Sequence, residues 1–157
     1  MADTRGDMKR ISSIGALLLA ACLWFGAHAV AVEPHAMQVY KSATCRCCQK
    51  WVDYVQSHGY AVTVSNVPDV NEVKRKLGVP SGASACHTAV VGGYFIEGHV
   101  PVEDISRLLA EHPDIAGLAV PGMPIGSPGM EGPSAQPYSV LAVQKDGKLK
   151  VFAEHRP

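Results

Sequence analysis

Residues 36–65, AMQVYKSATCRCCQKWVDYVQSHGYAVTVS, contain two strand-like segments on either side of a helix-like one. The first six residues alternate between apolar and polar side chains, which is typical of a half-buried strand. Between Cys48 and Val55 the apolar residues recur at three- and four-residue steps, the pattern of one helix face. Thr44 is placed to cap this helix. The last six residues alternate again, so the stretch predicts a strand–helix–strand unit with cysteines at the start of its helix.

The chain after this unit predicts a second helix, a hairpin and a third helix. Asp69 and Glu72 form a capping box for a short helix. Two apolar runs joined by Gly92-Gly93 indicate a tight hairpin, and Pro101 is suited to the first position of another helix. The order strand, helix, strand, helix, hairpin, helix is that of a thioredoxin-like α/β core, over roughly residues 36 to 112.

The C-terminal part differs in composition. Residues 117–133, GLAVPGMPIGSPGMEGP, are rich in glycine and proline and show no period, which predicts a long functional or disordered loop. Residues 138–143 and 149–153, joined across Asp146-Gly147, predict a terminal hairpin. The predicted fold class is therefore α/β: a thioredoxin-like domain with a C-terminal Gly/Pro/Met loop and a β-hairpin extension. The predicted divisions are 1–29, signal peptide; 30–115, thioredoxin-like domain; and 116–157, C-terminal extension.

The N-terminal segment predicts export. Lys9 and Arg10 precede the apolar stretch 11–25, and Ala27-His28-Ala29 matches the A-x-A pattern of signal-peptidase cleavage. We therefore expect a periplasmic protein whose mature chain begins near residue 30. A second interpretation is lipoprotein anchoring through Cys22. The residues after Cys22 stay apolar, which favours cleavage after Ala29.

Composition limits the range of partners. The chain has 157 residues, a formal net charge of zero and only 18% charged residues, so it carries no electrostatic indication of a nucleic acid or an acidic membrane as partner. Its length fits one domain with an appended segment. We expect a monomer.

Four cysteines remain once Cys22 is set aside: Cys45, Cys47, Cys48 and Cys86. In an oxidising compartment the simplest expectation is structural disulfides. A bridge between Cys45 and Cys48 is easy, but two bridges among these four would require strained, near-adjacent partners. One disulfide with two buried thiols is therefore the purely structural interpretation.

The CRCC segment is also suited to redox chemistry or to metal binding by its cysteines. A strand-to-helix junction directs backbone N–H groups at the cysteines and lowers the pKa of their thiols. Cys45 and Cys48 share a helix face and have the spacing of a redox pair, so they are the candidate catalytic residues. Cys47 points about 100° away from Cys48, so the thiolates do not readily converge on one tetrahedral ion. They can instead bridge several ions, as thiolates do with Cu(I).

Two other sulfur sources support a soft metal. Cys86 lies in the loop that faces the redox helix in thioredoxin-like folds, so the thiols are expected to gather. Met123 and Met130 fall in the Gly/Pro loop, without the periodic apolar neighbours of a packed methionine. Thioethers bind Cu(I) well and zinc poorly, which favours copper over zinc. Packing of these methionines in the core is the alternative.

Four segments together resemble the CopG family of exported copper-resistance proteins: CRCC at 45–48, CHT at 86–88, VGGYFIEGHVP at 91–101 and GLAVPGMPIGSPGME at 117–131. The resemblance implies a thioredoxin-like domain whose C-terminal extension contributes to metal binding. It also implies a cysteine-bridged cluster of several copper ions and a role in interconverting Cu(I) and Cu(II). The residues it implies as bridging thiolates are Cys45, Cys47, Cys48 and Cys86. Met123 and Met130 are the candidates from the extension.

The histidines leave alternatives open. His87, beside Cys86, is a candidate metal ligand or a hydrogen-bond donor within its loop. His99 is a candidate helix cap or a ligand. His155 is a further candidate because it lies in the extension. The run 74–76, KRK, is most simply a solvated helix face.

Three functional hypotheses follow from these residues. The first is an exported copper-binding protein with a multi-copper thiolate cluster that buffers copper or cycles it between oxidation states, with copper oxidoreductase activity left open. The second is a thiol–disulfide oxidoreductase that uses Cys45 and Cys48. The third is a non-redox chaperone that hands copper to a periplasmic efflux system. Cys47 and the two loop methionines discriminate between the first two hypotheses, because a dithiol enzyme needs none of them.

Overall fold

A single seven-stranded sheet organises the computed structural model, which describes residues 35–156. The predicted signal peptide and Cys22 lie outside the described residues. The elements in chain order are β1 (Ala36–Lys41), α1 (Arg46–Ser57), β2 (Ala61–Asn66), α2 (Val70–Leu77), a short 3-10 turn (Ser81–Ala83), β3 (Thr88–Val91), β4 (Tyr94–Glu97), α3 (Val102–Glu111), β5 (Gly117–Ala119), β6 (Tyr138–Val143) and β7 (Leu149–His155).

The sheet mixes parallel and antiparallel neighbours. Its order is β2-β1-β3-β4-β5-β6-β7, with β1–β2 and β4–β5 parallel and every other pair antiparallel. The predicted α/β fold class is confirmed, and the arrangement of β1 to β4 with their helices is compatible with a thioredoxin-like core. None of the helices within residues 35–156 is long and apolar enough to span a membrane.

Helix α1 packs the face that its sequence pattern predicts. Cys48, Trp51, Val52 and Val55 are all buried. The indole N–H of Trp51 donates a 2.9 Å hydrogen bond to the carbonyl of Val100, which satisfies its one polar atom inside the core. This packing fixes the helix against the sheet, and with it the cysteines of its first turn.

The predicted helix boundaries are mostly confirmed, with two shifts. The Asp69 side chain caps α2 through the N–H of Asn71 at 2.8 Å. For α1, however, the cap is Cys45 and not Thr44, because the Cys45 sulfur accepts the Cys48 N–H at 3.3 Å. Pro101 occupies the cap position of α3, so this helix begins at Val102, one residue later than predicted.

The first residues of the Gly/Pro segment form a strand that the sequence pattern missed. Gly117–Ala119 is β5, which pairs in parallel with β4 and antiparallel with β6. A side chain at Gly117 would meet the carbonyl oxygen of Phe95 at 2.1 Å, so the absence of a Cβ permits this pairing. The extension therefore continues the sheet of the core, while the division at residue 115 stays a prediction.

The prediction of a solvated face at residues 74–76 is wrong for Lys74. Its side chain is only 7% exposed, whereas Arg75 and Lys76 are exposed. Lys74 lies four residues after Val70 and three before Leu77, so it falls on the inward face of α2. Its side-chain nitrogen pairs there with the buried carboxylate of Glu97.

Candidate metal centre

Four cysteine sulfurs from two separate segments come together at the start of α1. The Sγ atoms of Cys45, Cys47, Cys48 and Cys86 all lie within 4.8 Å of one another. Cys45 and Cys48 form a disulfide, and Cys47 and Cys86 are free thiols. The predicted approach of Cys86 to the CRCC segment is therefore present. All four sulfurs become available to a metal only after two-electron reduction of the disulfide.

The sulfurs converge more closely than the helical geometry predicts. Cys47 Sγ lies 3.5 Å from Cys45 Sγ, although their side chains start from different faces of the first turn. Because Cys45 is the capping residue with extended backbone angles, its sulfur turns back over the helix end. Four sulfurs around one tetrahedral ion are about 3.8 Å apart. The spacing thus suits both one ion and a small cluster with shared sulfurs.

Cys86 is brought to the helix by contacts of its loop with the extension. The N–H of Gly122 donates to Ser84 O at 3.1 Å, and Ala85 forms a bridge with Gly122. At Gly98, φ is +72° and a Cβ would lie 2.5 Å from the Cβ of Ala85. Glycine at position 98 therefore allows the Cys86 loop to lie directly on the chain that leads to α3.

A second set of donors shares the Cys86 sulfur. His99 Nε2 lies 3.1 Å from Cys86 Sγ, and His87 Nδ1 lies 3.4 Å from the same atom. Nδ1 of His99 donates to the carbonyl of Pro128 at 2.7 Å, so Nε2 carries the lone pair that faces the sulfur. Such a hydrogen bond to the remote nitrogen is how metal-binding histidines are usually oriented.

His87 has a buried nitrogen without a partner. The residue is fully buried, its ring centroid lies 4.5 Å from that of Trp51, and its Nε2 has no hydrogen bond in the structure. Leaving a polar atom unpaired in the interior costs about 1–3 kcal/mol. The unpaired atom is Nε2, whereas the nitrogen that faces the Cys86 sulfur is Nδ1, so this cost is separate from the donor set around Cys86.

Burial shifts the pKa values of this second set. Desolvation lowers the pKa of His87 well below its ordinary value, and the neighbouring His99 lowers it further. Desolvation also lowers the pKa of His99. Burial raises the pKa of the Cys86 thiol to about 12, with the nearby Cys47 contributing. Near neutral pH the imidazoles therefore keep their lone pairs, and a metal must displace the proton of Cys86 to bind it.

The Gly/Pro loop supplies one methionine to the cysteines. Met123 Sδ lies 3.9 Å from Cys47 Sγ, and the residue is 51% exposed. The loop reaches the helix because a Cβ at Gly129 would lie 2.9 Å from Trp51 N, so only glycine fits there. Met130 is held by its backbone, through bonds with Ser127 and Gly126, and in the part of the chain described no hydrogen bond joins its sulfur to a cysteine.

The other histidine candidate lies in a different environment. His155 Nε2 is 2.6 Å from a carboxylate oxygen of the buried Asp104, and its ring stacks on Tyr138. It belongs to neither of the two metal-capable groups found in residues 35–156. His99, for which the sequence favoured a helix-capping role over a ligand role, thus lies at the candidate centre. His155 lies instead in a contact between the extension and α3.

Fold and site together define an α/β protein with a cysteine–histidine cluster able to hold metal. Two solved structures described as copper resistance protein CopG, form 2 and form 1, are similar to the chain. They share 44% sequence identity with it, with TM-scores of 0.75 and 0.74 over 79% and 80% of this chain and 100% of theirs. The chain belongs to the CopG family of copper resistance proteins.

Two further comparisons complete this picture. Residues 83–130 match a family model described as a protein of unknown function, DUF411. That range includes Cys86, both histidines of the second donor set, and both loop methionines. No curated protein matches the chain at a significant level.

Proposed function

We propose that this protein binds several copper ions in a cysteine-bridged cluster and interconverts Cu(I) and Cu(II) as part of copper resistance. We further propose that it acts in the periplasm after removal of the predicted signal peptide. Cys45, Cys47, Cys48 and Cys86 are the proposed thiolate ligands. Met123 is a thioether ligand at the exposed side, and His87 and His99 are ligands at the buried side.

The observation that carries the proposal is the position of the Cys86 sulfur. It belongs both to the four-sulfur group and to the group formed with His87 and His99. A thiolate that has metal-capable donors on two sides can bridge two ions. A site for one ion would have no use for the second group.

The chemistry of the donors supports copper in two oxidation states. Thiolate and thioether sulfur are preferred by Cu(I), whereas imidazole nitrogen also suits Cu(II). The sulfur-rich side holds Cys47 and Met123, and the nitrogen-rich side holds the two histidines. The two solved relatives carry copper resistance in their name, which agrees with this donor set.

The Cys45–Cys48 pair can supply the electrons for the reduction of Cu(II). Formation of the Cys45–Cys48 disulfide from two thiolates releases two electrons, which reduce two Cu(II) ions to two Cu(I) ions. Reduction of the disulfide by an external dithiol would restore the thiolates. The bonded state of this pair in the structure supports its assignment as the redox-active one.

Anaerobic titration of the reduced mature protein with Cu(I) tests the proposal. We expect more than one Cu(I) per chain, with all four thiols protected from alkylation in the loaded form. A chain that binds one Cu(I) at most, or that holds a single zinc ion more tightly than copper, would contradict it. Cys47→Ser and Met123→Leu serve as variants that weaken only the sulfur-rich side.

The disulfide itself favours a second candidate, a thiol–disulfide oxidoreductase. Such an enzyme would use Cys45 and Cys48 and would need neither Cys47 nor Met123. Reduction of a disulfide substrate by the metal-free protein separates the two functions. If Cys47→Ser retains full reductase activity while copper capacity falls, the cluster and the dithiol activity are distinct properties of the chain.

A further inference from the structure

Glu97, the last residue of β4, is fully buried beside the loop that carries Cys86. Its Oε1 accepts the backbone N–H of Ala85 at 2.6 Å, and its Oε2 accepts the hydroxyl of Thr88 at 2.6 Å. Ala85 and Thr88 stand immediately before and after the pair Cys86-His87. One carboxylate therefore holds both ends of the two-residue segment that provides donors to both groups.

Lys74 completes this network from α2. Its ammonium pairs with Glu97 Oε1 and donates to Thr88 Oγ1 at 3.0 Å. The two charged side chains are 7% and 0% exposed. Each oxygen of the carboxylate thus has a partner, and each partner either belongs to the Cys86 loop or neutralises the charge.

General stability does not explain a buried pair of this kind. The desolvation of two charges can exceed their mutual attraction, and apolar side chains of similar volume are often as stabilising. What an apolar pair could not do is accept the Ala85 N–H and the Thr88 hydroxyl at fixed positions. The directional bonds of the carboxylate define where the Cys86 backbone lies.

We propose that Glu97 is a positioning residue that fixes the Cys86 sulfur where the two donor groups share it, with Lys74 as its counter-ion. For copper this inference rests on the proposed function. The fixed position of the loop, however, is a property of the metal-free chain and has its own measurable consequence.

A matched control lies on the same helix. Glu72 and Lys76 form an exposed ion pair of 2.7 Å between positions i and i+4 of α2. Removing this pair, with Glu72→Gln and Lys76→Met, changes the same residue types without touching the Cys86 loop. Exposed pairs of this kind contribute little to stability, so the control is expected to behave as the unaltered protein.

The experiment combines a metal-free and a metal-bound readout on the full mature chain. We expect Glu97→Gln to increase the alkylation rate of Cys86 in the reduced, metal-free protein several-fold, as mapped by mass spectrometry. We also expect it to weaken Cu(I) binding, measured against a competing chelator, by about 10–100-fold, the usual effect of losing an outer-shell partner. Thr88→Val, which releases only one end of the segment, should change both readouts less and in the same direction.

The double variant Lys74→Met with Glu97→Leu separates position from charge. No unpaired ammonium remains, but the Ala85 N–H and the Thr88 hydroxyl lose their acceptor, so we expect the faster Cys86 alkylation and the weaker Cu(I) binding to persist. This variant and Thr88→Val also decide the matter if Glu97→Gln alone does not fold. Unchanged alkylation and affinity in folded variants would overturn the proposal, as would a control pair with equal losses.

The two proposals fail differently. If the unaltered chain holds no more than one Cu(I) but Glu97→Gln still accelerates Cys86 alkylation, the cluster is wrong and the positioning role stands. If the chain holds several Cu(I) ions and the Glu97 variants match it in both readouts, the positioning role is wrong and the cluster stands.

Discussion

Two histidines, His99 and His155, differ in what surrounds them. His99 has a thiol sulfur at one nitrogen and a backbone carbonyl at the other, whereas His155 has carboxylates near both nitrogens. Both residues lie where the C-terminal extension touches the rest of the chain. The contrast suggests two tasks for the extension: one end contacts the candidate metal centre through His99, and the other fastens the terminal hairpin to α3.

The fastening end is built from directional polar contacts. Asp104, on α3, is almost fully buried and is reached by His155 at 2.6 Å and by Arg107 at 3.4 Å. Arg107 also lies 3.9 Å above the ring of Phe152 and donates to its carbonyl. Here the histidine is paired with a buried carboxylate, a contact that ties the last strand to α3.

The largest effect is expected from Cys86→Ser, which removes the sulfur common to the two groups. Serine keeps the size of the side chain but is a poor ligand for Cu(I). We expect copper bound per chain to fall by more than half in the anaerobic titration, with little change in the thermal stability of the metal-free protein. Retention of the full copper capacity would show that the two groups are not joined through residue 86.

A matched pair of histidine variants tests the comparison itself. His99→Phe should weaken copper binding by at least about tenfold, since loss of an outer-shell partner alone commonly costs 10–100-fold. His155→Phe should leave copper affinity unchanged and lower the free energy of unfolding by about 1.5–3 kcal/mol, the value of a hydrogen bond to a charged group. Copper competition and urea unfolding measure the two effects, and an exchange of the two outcomes would contradict the division of roles.

The pH dependence of stability should follow the buried histidines. Because the pKa values of His87 and His99 are lowered in the folded state, the unfolded chain binds more protons as the pH falls below about 6.5. Stability of the metal-free protein should therefore decrease with falling pH, by at most about 1.4 kcal/mol per pH unit for each histidine.

Urea unfolding at pH 7.5 and 5.5 checks this expectation. His87→Phe should show a weaker pH dependence of stability than the unaltered chain. His58→Gln, at an exposed position, should keep the pH dependence of the unaltered chain. The same slope in all three proteins would mean that the buried histidines are not the titrating groups.

The smallest effect is expected at the loop methionines. Met123→Leu should weaken Cu(I) binding a few-fold, because Met123 Sδ lies 3.9 Å from Cys47 Sγ at the exposed side of the cluster. Met130→Leu is the control within the same loop and should have no effect. Disulfide reductase activity, if present, should survive in both. An equal loss of copper affinity in the two variants would place Met130 at the cluster as well.

Local patterns explain why much of the fold was predictable. The buried face of α1 and the cap of α2 follow from residues within a few positions of each other. The approach of Cys86 to the CRCC segment followed from the inferred fold. Strand β5 could not be predicted in this way. Its three residues, Gly117–Ala119, are too few to show a period, and they are held by pairing with β4 and β6.

The site was less predictable because its decisive contacts are long-range. The role of His99 depends on the carbonyl of Pro128, 29 positions away in the sequence, and no local pattern contains that information. Burial of Lys74 had a local indication, its spacing from Val70 and Leu77, but its partner Glu97 lies 23 positions further on. Sequence thus indicated which residue types bind metal, and the fold decided which of them meet.

X-ray absorption at the copper edge of the fully loaded, reduced protein tests the central claim most directly. A sulfur shared by two ions holds those ions close together, so we predict a copper–copper scattering distance in addition to sulfur and imidazole shells. Cys86→Ser should abolish the copper–copper distance while sulfur scattering from the CRCC segment remains. A single sulfur shell without metal–metal scattering in the unaltered protein would contradict the account.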